Sequence, residues 1–433
     1  MQVIHSLYAK YVSEKYRYKV SVIKSVIRRH TVEKKLIFDQ QNRNEKLAFA
    51  LKGKKSIKVV FFAQLSSIWK YDLLYKLMND DPCFEPMVLV VPELARGDEF
   101  MWENMDKTYL LMKSKGYKVI KSFDSVLNSW IDVHAQINPD IIFFSRPYSG
   151  ISKKEYAISN FPNVLTCYVP YAFMEIQGRA YFDLLFHNLL WIHFAETLVH
   201  KQISYSEEFI KAKNVYVSGY PGCDLFLLKN KVINDCWKIK NPLIKRIIWA
   251  PHHSIESNGY TDFLKVSDLF MNLAIKYKDK IQIAFKPHPL LKPKLYNHKG
   301  WGSKRTDSYY DFWENSENTF LAEGEYIDLF LTSDALMHDS GSFLIEYLYT
   351  LKPVLFSSFT NRRKNLNYFG RQALNLHYRV NNEDDITTFI EKVVIQDNDS
   401  MYAQRKLFFD TYLNIPNGMT ASQNIINKIK EYL

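Results

Sequence analysis

Three short clusters of imidazole, ammonium and hydroxyl groups each follow an apolar run, and together they have the chemistry of an anion site. They are Trp249-Ala250-Pro251-His252-His253-Ser254, Phe285-Lys286-Pro287-His288-Pro289 and His338-Asp339-Ser340-Gly341-Ser342. Prolines stiffen the first two turns. The third ends an apolar run at 335–337 and opens a segment of helical length that closes at Lys352-Pro353 before a strand-like run at 354–356. A strand-to-helix turn of small hydroxyl residues and glycine leaves backbone N–H groups unpaired at the positive end of a helix, a ready phosphate site. Glu346 lies one helical turn after Ser342, on the same face, in reach of a ribose hydroxyl. Taken singly, each cluster is explained as well by an ordinary strand end with a satisfied core histidine. Three in one domain favour convergence of His252, His253, Lys286, His288 and the 339–342 turn into a cationic, donor-rich pocket suited to a diphosphate.

The elements that must position these groups alternate between strand and helix. Near-continuous apolar runs at 58–62, 86–91, 117–120, 140–144 and 163–169 predict buried strands, with helices at 69–78 and 102–115. An aromatic-rich stretch, 181–199, reads as a long buried helix. A second alternation starts with strands at 246–250 and 281–285 around a helix at 262–278, and continues with a strand at 318–321. Residues 401–433 read as two helices broken at Pro416-Asn417-Gly418. Strands of this kind separated by helices predict parallel sheets covered on both faces. The fold class is therefore α/β: two doubly wound Rossmann-like domains facing a central cleft, with ligand crevices at the strand carboxyl ends. The predicted divisions are a basic helical extension at 1–55, a first domain at 56–235 and a second at 236–405. The remaining helices, 406–433, are expected to pack back on the first domain. The lysine-rich stretch 227–244 is the candidate linker.

At 433 residues the chain suits two domains plus extensions. Its 47% hydrophobic and 24% charged content are those of a globular protein. No apolar run reaches the roughly 18–20 residues that span a bilayer, and the N-terminus lacks the h-region of a signal peptide. Cys83, Cys167, Cys223 and Cys236 have neither metal-site nor disulfide-framework spacing. Residues 1–58 hold 15 Lys/Arg against 4 acids, which accounts for the whole net charge of +11. Tyr8, Tyr11, Tyr16, Tyr18, Val22, Ile23, Val26 and Ile27 recur there at roughly helical spacing. A basic amphipathic helix of that kind suits an anionic membrane surface; a solvated helix packed on the body is the plainer alternative. Nucleic acid is not a predicted partner, since no recognition motif accompanies the charge.

The order of a "PHHS" turn, a "KPHP" turn and "DSGS" followed by Glu346 and Lys352-Pro353-Val354-Leu355-Phe356 resembles the CDP-glycerol glycerophosphotransferase family of teichoic acid and capsule synthesis. Gly219-Tyr220-Pro221 with Asp224 matches a further family segment. The resemblance spans roughly 57–405 and implies the GT-B glycosyltransferase fold. It implies that Lys286, His288 and the Asp339–Ser342 turn serve a donor diphosphate, with His288 acting catalytically on the leaving group. It also implies a glycan or lipid-linked acceptor; the cysteine pattern and the basic arm at 1–55, which the resemblance does not cover, lead us to expect a cytoplasmic enzyme peripheral on the inner face of the membrane. No cofactor or metal is needed where histidine, lysine and a helix dipole carry the charge. Asp397-Asn398-Asp399 resembles a metal-binding triplet only superficially. CDP-linked donors are favoured; CDP-glycerol, CDP-ribitol and nucleotide sugars all fit.

Family members carry a Trp-His-Gly-Thr-Pro segment whose histidine is thought to act as base, whereas this chain has Tyr168-Val169-Pro170-Tyr171-Ala172 there. Glu175, His187 and His193 are the candidates nearby, and Glu175 has the residue type usual for an inverting base in this fold. Two other readings exist. Asp339-Ser340-Gly341 with Glu346 is also similar to a turn of UDP-N-acetylglucosamine 2-epimerases, although their first-domain acidic segment has no counterpart. The missing histidine is equally compatible with a non-catalytic GT-B scaffold.

Overall fold

The computed structural model describes residues 20, 23–228, 231–256, 261–341, 343–359, 365–414 and 418–433. The chain forms two compact units. The first comprises 1–172, 178–222 and 419–433, and the second 173–177 and 223–418. Ser342 and most of 1–22 lie outside the described residues.

The first unit is built on β1 (Ile57–Ala63), β2 (Phe84–Val90) and β3 (Val119–Lys121), then an antiparallel ribbon of β4 (Phe123–Asp124) and β5 (Ser129–Trp130). Strands β6 (Ile141–Phe144), β7 (Leu165–Tyr168), β8 (Ile192–Ala195) and β9 (Val215–Val217) follow. The seven-stranded sheet has the order β3-β2-β1-β6-β7-β8-β9 and every pairing in it is parallel. Its central strands are buried apart from Lys58, as runs such as Val59-Val60-Phe61-Phe62 require. The stretch read as one long helix is instead two short helices, Arg179–Phe182 and Leu185–Leu189, followed by β8. A short apolar run buried on all sides has no periodicity to tell strand from helix, and here pairing with β7 and β9 decides.

The described part of the basic extension is fixed to this unit. Helix Lys34–Phe49 buries Ile37, and Gln41 Nε2 donates to the carbonyls of Asn188 and Leu190. Arg29 is buried, paired with Glu33 at 2.7 Å and donating to the Asp183 carbonyl at 2.5 Å. A free membrane-lying helix therefore does not describe 29–49, because a buried guanidinium is tolerated only when paired. Ile23 and Ile27, next to Lys24 and Arg28, remain exposed. The C-terminal helix Ala421–Lys430 packs against helix Asp72–Asn79 of the same unit.

The second unit carries β10 (Lys245–Ala250), β11 (Ile281–Phe285), β12 (Thr319–Leu321), β13 (Ala335–His338), β14 (Val354–Phe356) and β15 (Tyr378–Arg379). All are parallel, in the order β12-β11-β10-β13-β14-β15. This is the doubly wound order, with its switch point between β10 and β13. Trp249 on β10 stacks on Phe270 with centroids 4.0 Å apart, and against Phe285 and Trp313. Such pairs add about 0.5–1.5 kcal/mol each beyond their buried area, so the strand end that leads into Pro251 is anchored. The stretch expected as a linker is packed: Trp237 is buried and donates to Thr332 Oγ1 at 2.9 Å, and Gln282 holds the Ile239 carbonyl. The boundary between units falls at Gly222/Cys223 rather than at 235/236.

Candidate active site

Because β10 lies between β11 and β13, the three polar clusters emerge side by side at the carboxyl edge of one sheet. The His288 N–H donates to the Pro251 carbonyl at 3.1 Å, tying the first turn to the second. The His252 N–H donates to Asp339 Oδ1 at 2.7 Å, tying the first to the third, and the Thr261 hydroxyl donates to the other oxygen of Asp339. Ring centroids lie 4.2 Å apart for His252–His253, 4.2 Å for His253–His288 and 5.3 Å for His252–His288. The sequence-predicted convergence of His252, His253 and His288 beside the 339–341 turn is thus present within the second unit.

The polarity of this trio follows from its hydrogen bonds. The Leu290 N–H donates to His288 Nδ1 at 3.1 Å, and the Ser254 N–H donates to His252 Nδ1 at 3.3 Å. A backbone amide can only donate, so in the neutral ring Nδ1 is the acceptor and Nε2 carries the hydrogen. Ring nitrogens of the three histidines lie within 4.8 Å of one another, close enough to suggest a metal. A metal ligand, however, needs a free imidazole lone pair, and in neutral His252 and His288 the Nδ1 pair accepts from an amide while Nε2 carries the hydrogen. As oriented, His252 and His288 present N–H donors, which suits an anion.

Asp339, expected on the diphosphate, and Glu346, expected on the ribose, are both engaged within the protein. Asp339 is buried, with its carboxylate spent on His252 and Thr261; an anion held there would repel a diphosphate, and it serves to position the histidine turn. Glu346 is also buried, and its carboxylate accepts from the Tyr326 hydroxyl rather than lying open to a ribose. Lys286 donates to the Gly324 carbonyl at 2.9 Å and lies over the Tyr326 ring at 5.8 Å. Tyr326 therefore links Lys286 to Glu346. Sequence reading missed it, although an aromatic just past a strand-end acidic pair was the available signal. Burial pushes the Lys286 ammonium down to about 8, against the opposing pull of Glu325 and Glu323.

The chain turns tightly at 338–341. His338, fully buried, bonds the Ser340 carbonyl through Nδ1 at 2.9 Å, and the Gly341 carbonyl accepts from Leu344. The following helix is shorter than expected, Phe343–Glu346 and then a tighter turn at Tyr347–Thr350. Its dipole is correspondingly modest.

Glu175 belongs to the second unit, not the first as expected. Its segment pairs in antiparallel fashion at Ile176–Leu366. Asn367 fixes it by donating its backbone N–H to the Glu175 carbonyl at 2.7 Å and its side-chain amide to the Met174 carbonyl at 2.5 Å. Only glycine fits at 370, where a Cβ would stand 2.7 Å from the Glu175 carbonyl oxygen. A Cβ on Gly341 would collide with Glu175 Oε1, so the carboxylate lies directly over the turn. His187 and His193, the other candidate bases, are buried inside the first unit. Burial also holds the His187 ring well below its ordinary pKa, and neither ring is presented to a substrate.

Comparison with known proteins agrees with this geometry. Residues 199–431, more than half of the chain, match the family described as CDP-Glycerol:Poly(glycerophosphate) glycerophosphotransferase. No curated protein matches. Among solved structures, the wall teichoic acid polymerase TagF, in a histidine-to-asparagine variant, is 15% identical; 95% of this chain and 97% of that chain are covered, with a TM-score of 0.58. UDP-GlcNAc 2-epimerase from Neisseria meningitidis bound to UDP-GlcNAc is 17% identical, covering 87% and 100%, with a TM-score of 0.55. MnaA of S. aureus with UDP is 16% identical, covering 88% and 97%, with a TM-score of 0.53. At such identities the likeness is one of fold, and the fold is GT-B, with two doubly wound units. The chain belongs to the CDP-glycerol glycerophosphotransferase family and is a transferase. The epimerase alternative shares the fold alone.

Proposed function

We propose that this chain transfers a glycerophosphate, polyol-phosphate or sugar group from a CDP-linked donor to a hydroxyl of a glycan or lipid-linked acceptor in cell-surface polymer synthesis. The observation that carries the reading is the imidazole trio at the switch point of the second unit, in which His252 and His288 present N–H donors, joined through Asp339 to the Ser340-Gly341 turn. In the proposed reaction His252, His253, His288 and Lys286 hold the donor diphosphate. Glu175 takes the proton of the acceptor hydroxyl as its oxygen attacks in line. With a polyol-phosphate donor the new P–O bond forms at the distal phosphorus and the bridging bond breaks, releasing the nucleoside monophosphate. Charge growing on that leaving group is stabilised by preorganised N–H donors, and no metal ion is required. The enzyme is placed on the inner face of the cytoplasmic membrane. Exposed Ile23 and Ile27 beside Lys24 and Arg28 support this, and among the described residues no helix is long and apolar enough to cross a membrane.

The test is acceptor dependence. Incubated with CDP-glycerol, CDP-ribitol or UDP-sugars, the protein should release nucleotide rapidly only when a polymer-primer acceptor is added. Equal release without acceptor, or interconversion of the sugar, would overturn the transferase reading. A pH dependence follows from Lys286. Only its protonated form attracts the diphosphate, and that form is lost as pH rises through about 8. Affinity for CDP, measured by calorimetry, should fall about tenfold between pH 7 and pH 9, the loss expected one unit above a titrating cation. In Lys286→Met the profile should be nearly flat over that range.

A further inference from the structure

Residues 173–177 interrupt the sequence of the first unit, pack with the second, and return the chain to the first at Gly178. Phe173 anchors the crossing: it is buried, with its ring stacked on Phe369 at 6.0 Å between centroids. Met174, Glu175 and Ile176 are half-buried, and Gln177 is exposed. This stretch is held through an isolated bridge, Ile176–Leu366, and not as a strand of the sheet. The Asn367 N–H donates to the Glu175 carbonyl on one side of the bridge, and the Gln177 N–H donates to the Asn365 carbonyl at 3.1 Å on the other. Gly178, at φ 125°, ends the crossing in a conformation that favours glycine. A short, partly exposed segment between a ring anchor and a glycine pivot is of the kind that opens locally. What it carries is a carboxylate. A Cβ on Gly341 would collide with Glu175 Oε1, so the chain itself sets a negative charge over the turn that Asp339 joins to His252. A carboxylate and a diphosphate repel each other in that place.

We propose that 173–177 is an autoinhibitory strap: when it is docked, the Glu175 carboxylate stands where a donor phosphate oxygen would lie over the Ser340-Gly341 turn, and donor entry lifts it. The proposal rests on the donor-site reading and adds a closed state to it. The bridge provides a lock. Its two flanking hydrogen bonds make Ile176–Leu366 a non-hydrogen-bonded antiparallel pair, with Cα atoms about 4.5 Å apart, within disulfide reach. Ile176→Cys/Leu366→Cys is made with Cys236→Ser, which removes an exposed thiol. It should crosslink on oxidation and open with dithiothreitol. By calorimetry the oxidised form should bind CDP about tenfold more weakly, or worse, and reduction should restore affinity to within about threefold of wild type, because the crosslink withholds the binding-competent state. The wild type offers a second measurement. On adding CDP, hydrogen exchange of the 173–177 amides should speed up about threefold or more, while exchange at 251–254 slows. Equal CDP affinity in the oxidised and reduced forms, or strap amides that slow with CDP, would overturn the strap and leave the donor site standing. Absence of CDP binding in the wild type and in both forms would instead overturn the donor-site reading, and the strap with it.

Discussion

Replacing His288 by alanine should lower turnover of a CDP-linked donor about 10²–10³-fold while leaving the thermal unfolding midpoint within a few degrees of wild type. The magnitude is that of removing one preorganised donor from a site where charge develops, about 2.7–4 kcal/mol. The fold should survive because the His288 ring is half-buried and its turn is held by backbone bonds, from His288 N–H to Pro251 and from Leu291 N–H to His288. His288→Gln separates two possibilities. Glutamine keeps an N–H donor at similar reach, so an anion-binding role predicts partial recovery, whereas a metal-ligand role predicts none. Single-turnover nucleotide release with saturating acceptor is the measurement, and wild-type turnover in His288→Ala would remove the assignment of this site.

Much of that site was legible in the chain because a strand's carboxyl end in a parallel sheet is both predictable and functional. The run 281–285 was found to the residue, and the polar tripeptides after β10, β11 and β13 were therefore located correctly. What could not be read was how polar groups are shared once those ends meet. Asp339 looked like part of an anion cradle, but its carboxylate is consumed by an amide 87 positions earlier. Glu346 looked open to a ribose on helical spacing alone, yet Tyr326 covers it. Periodicity misled at 181–199, where an apolar, aromatic run supports helix and strand alike. The unit to which Glu175 belongs was hidden for a different reason. Its segment is held by Asn367 and by the missing side chain of Gly370, and no local signal records a partner nearly two hundred residues away.

Glu175→Gln should split binding from chemistry. The carboxylate lies over Gly341, beside the turn where the donor diphosphate is expected, so under the proposed mechanism it should repel the ground-state ligand. Removing its charge while keeping its shape should tighten CDP binding about fivefold, the factor given by ~1 kcal/mol of relieved like-charge repulsion in a wet site. The same change removes the proton acceptor, and acceptor-dependent turnover should fall about 10²–10⁴-fold. A residue with a merely structural part would lower both quantities together, because loosening the 173–177 segment would disturb the Gly341 turn as well. A scaffold without chemistry would show the gain in CDP affinity from an already negligible turnover. Calorimetry with CDP and single-turnover kinetics on the same preparations distinguish these cases. Turnover retained above half of wild type would mean that the acceptor proton leaves by another route. The paired outcome, tighter binding and lost chemistry, would identify Glu175 as the group that substitutes for the histidine absent at 168–172.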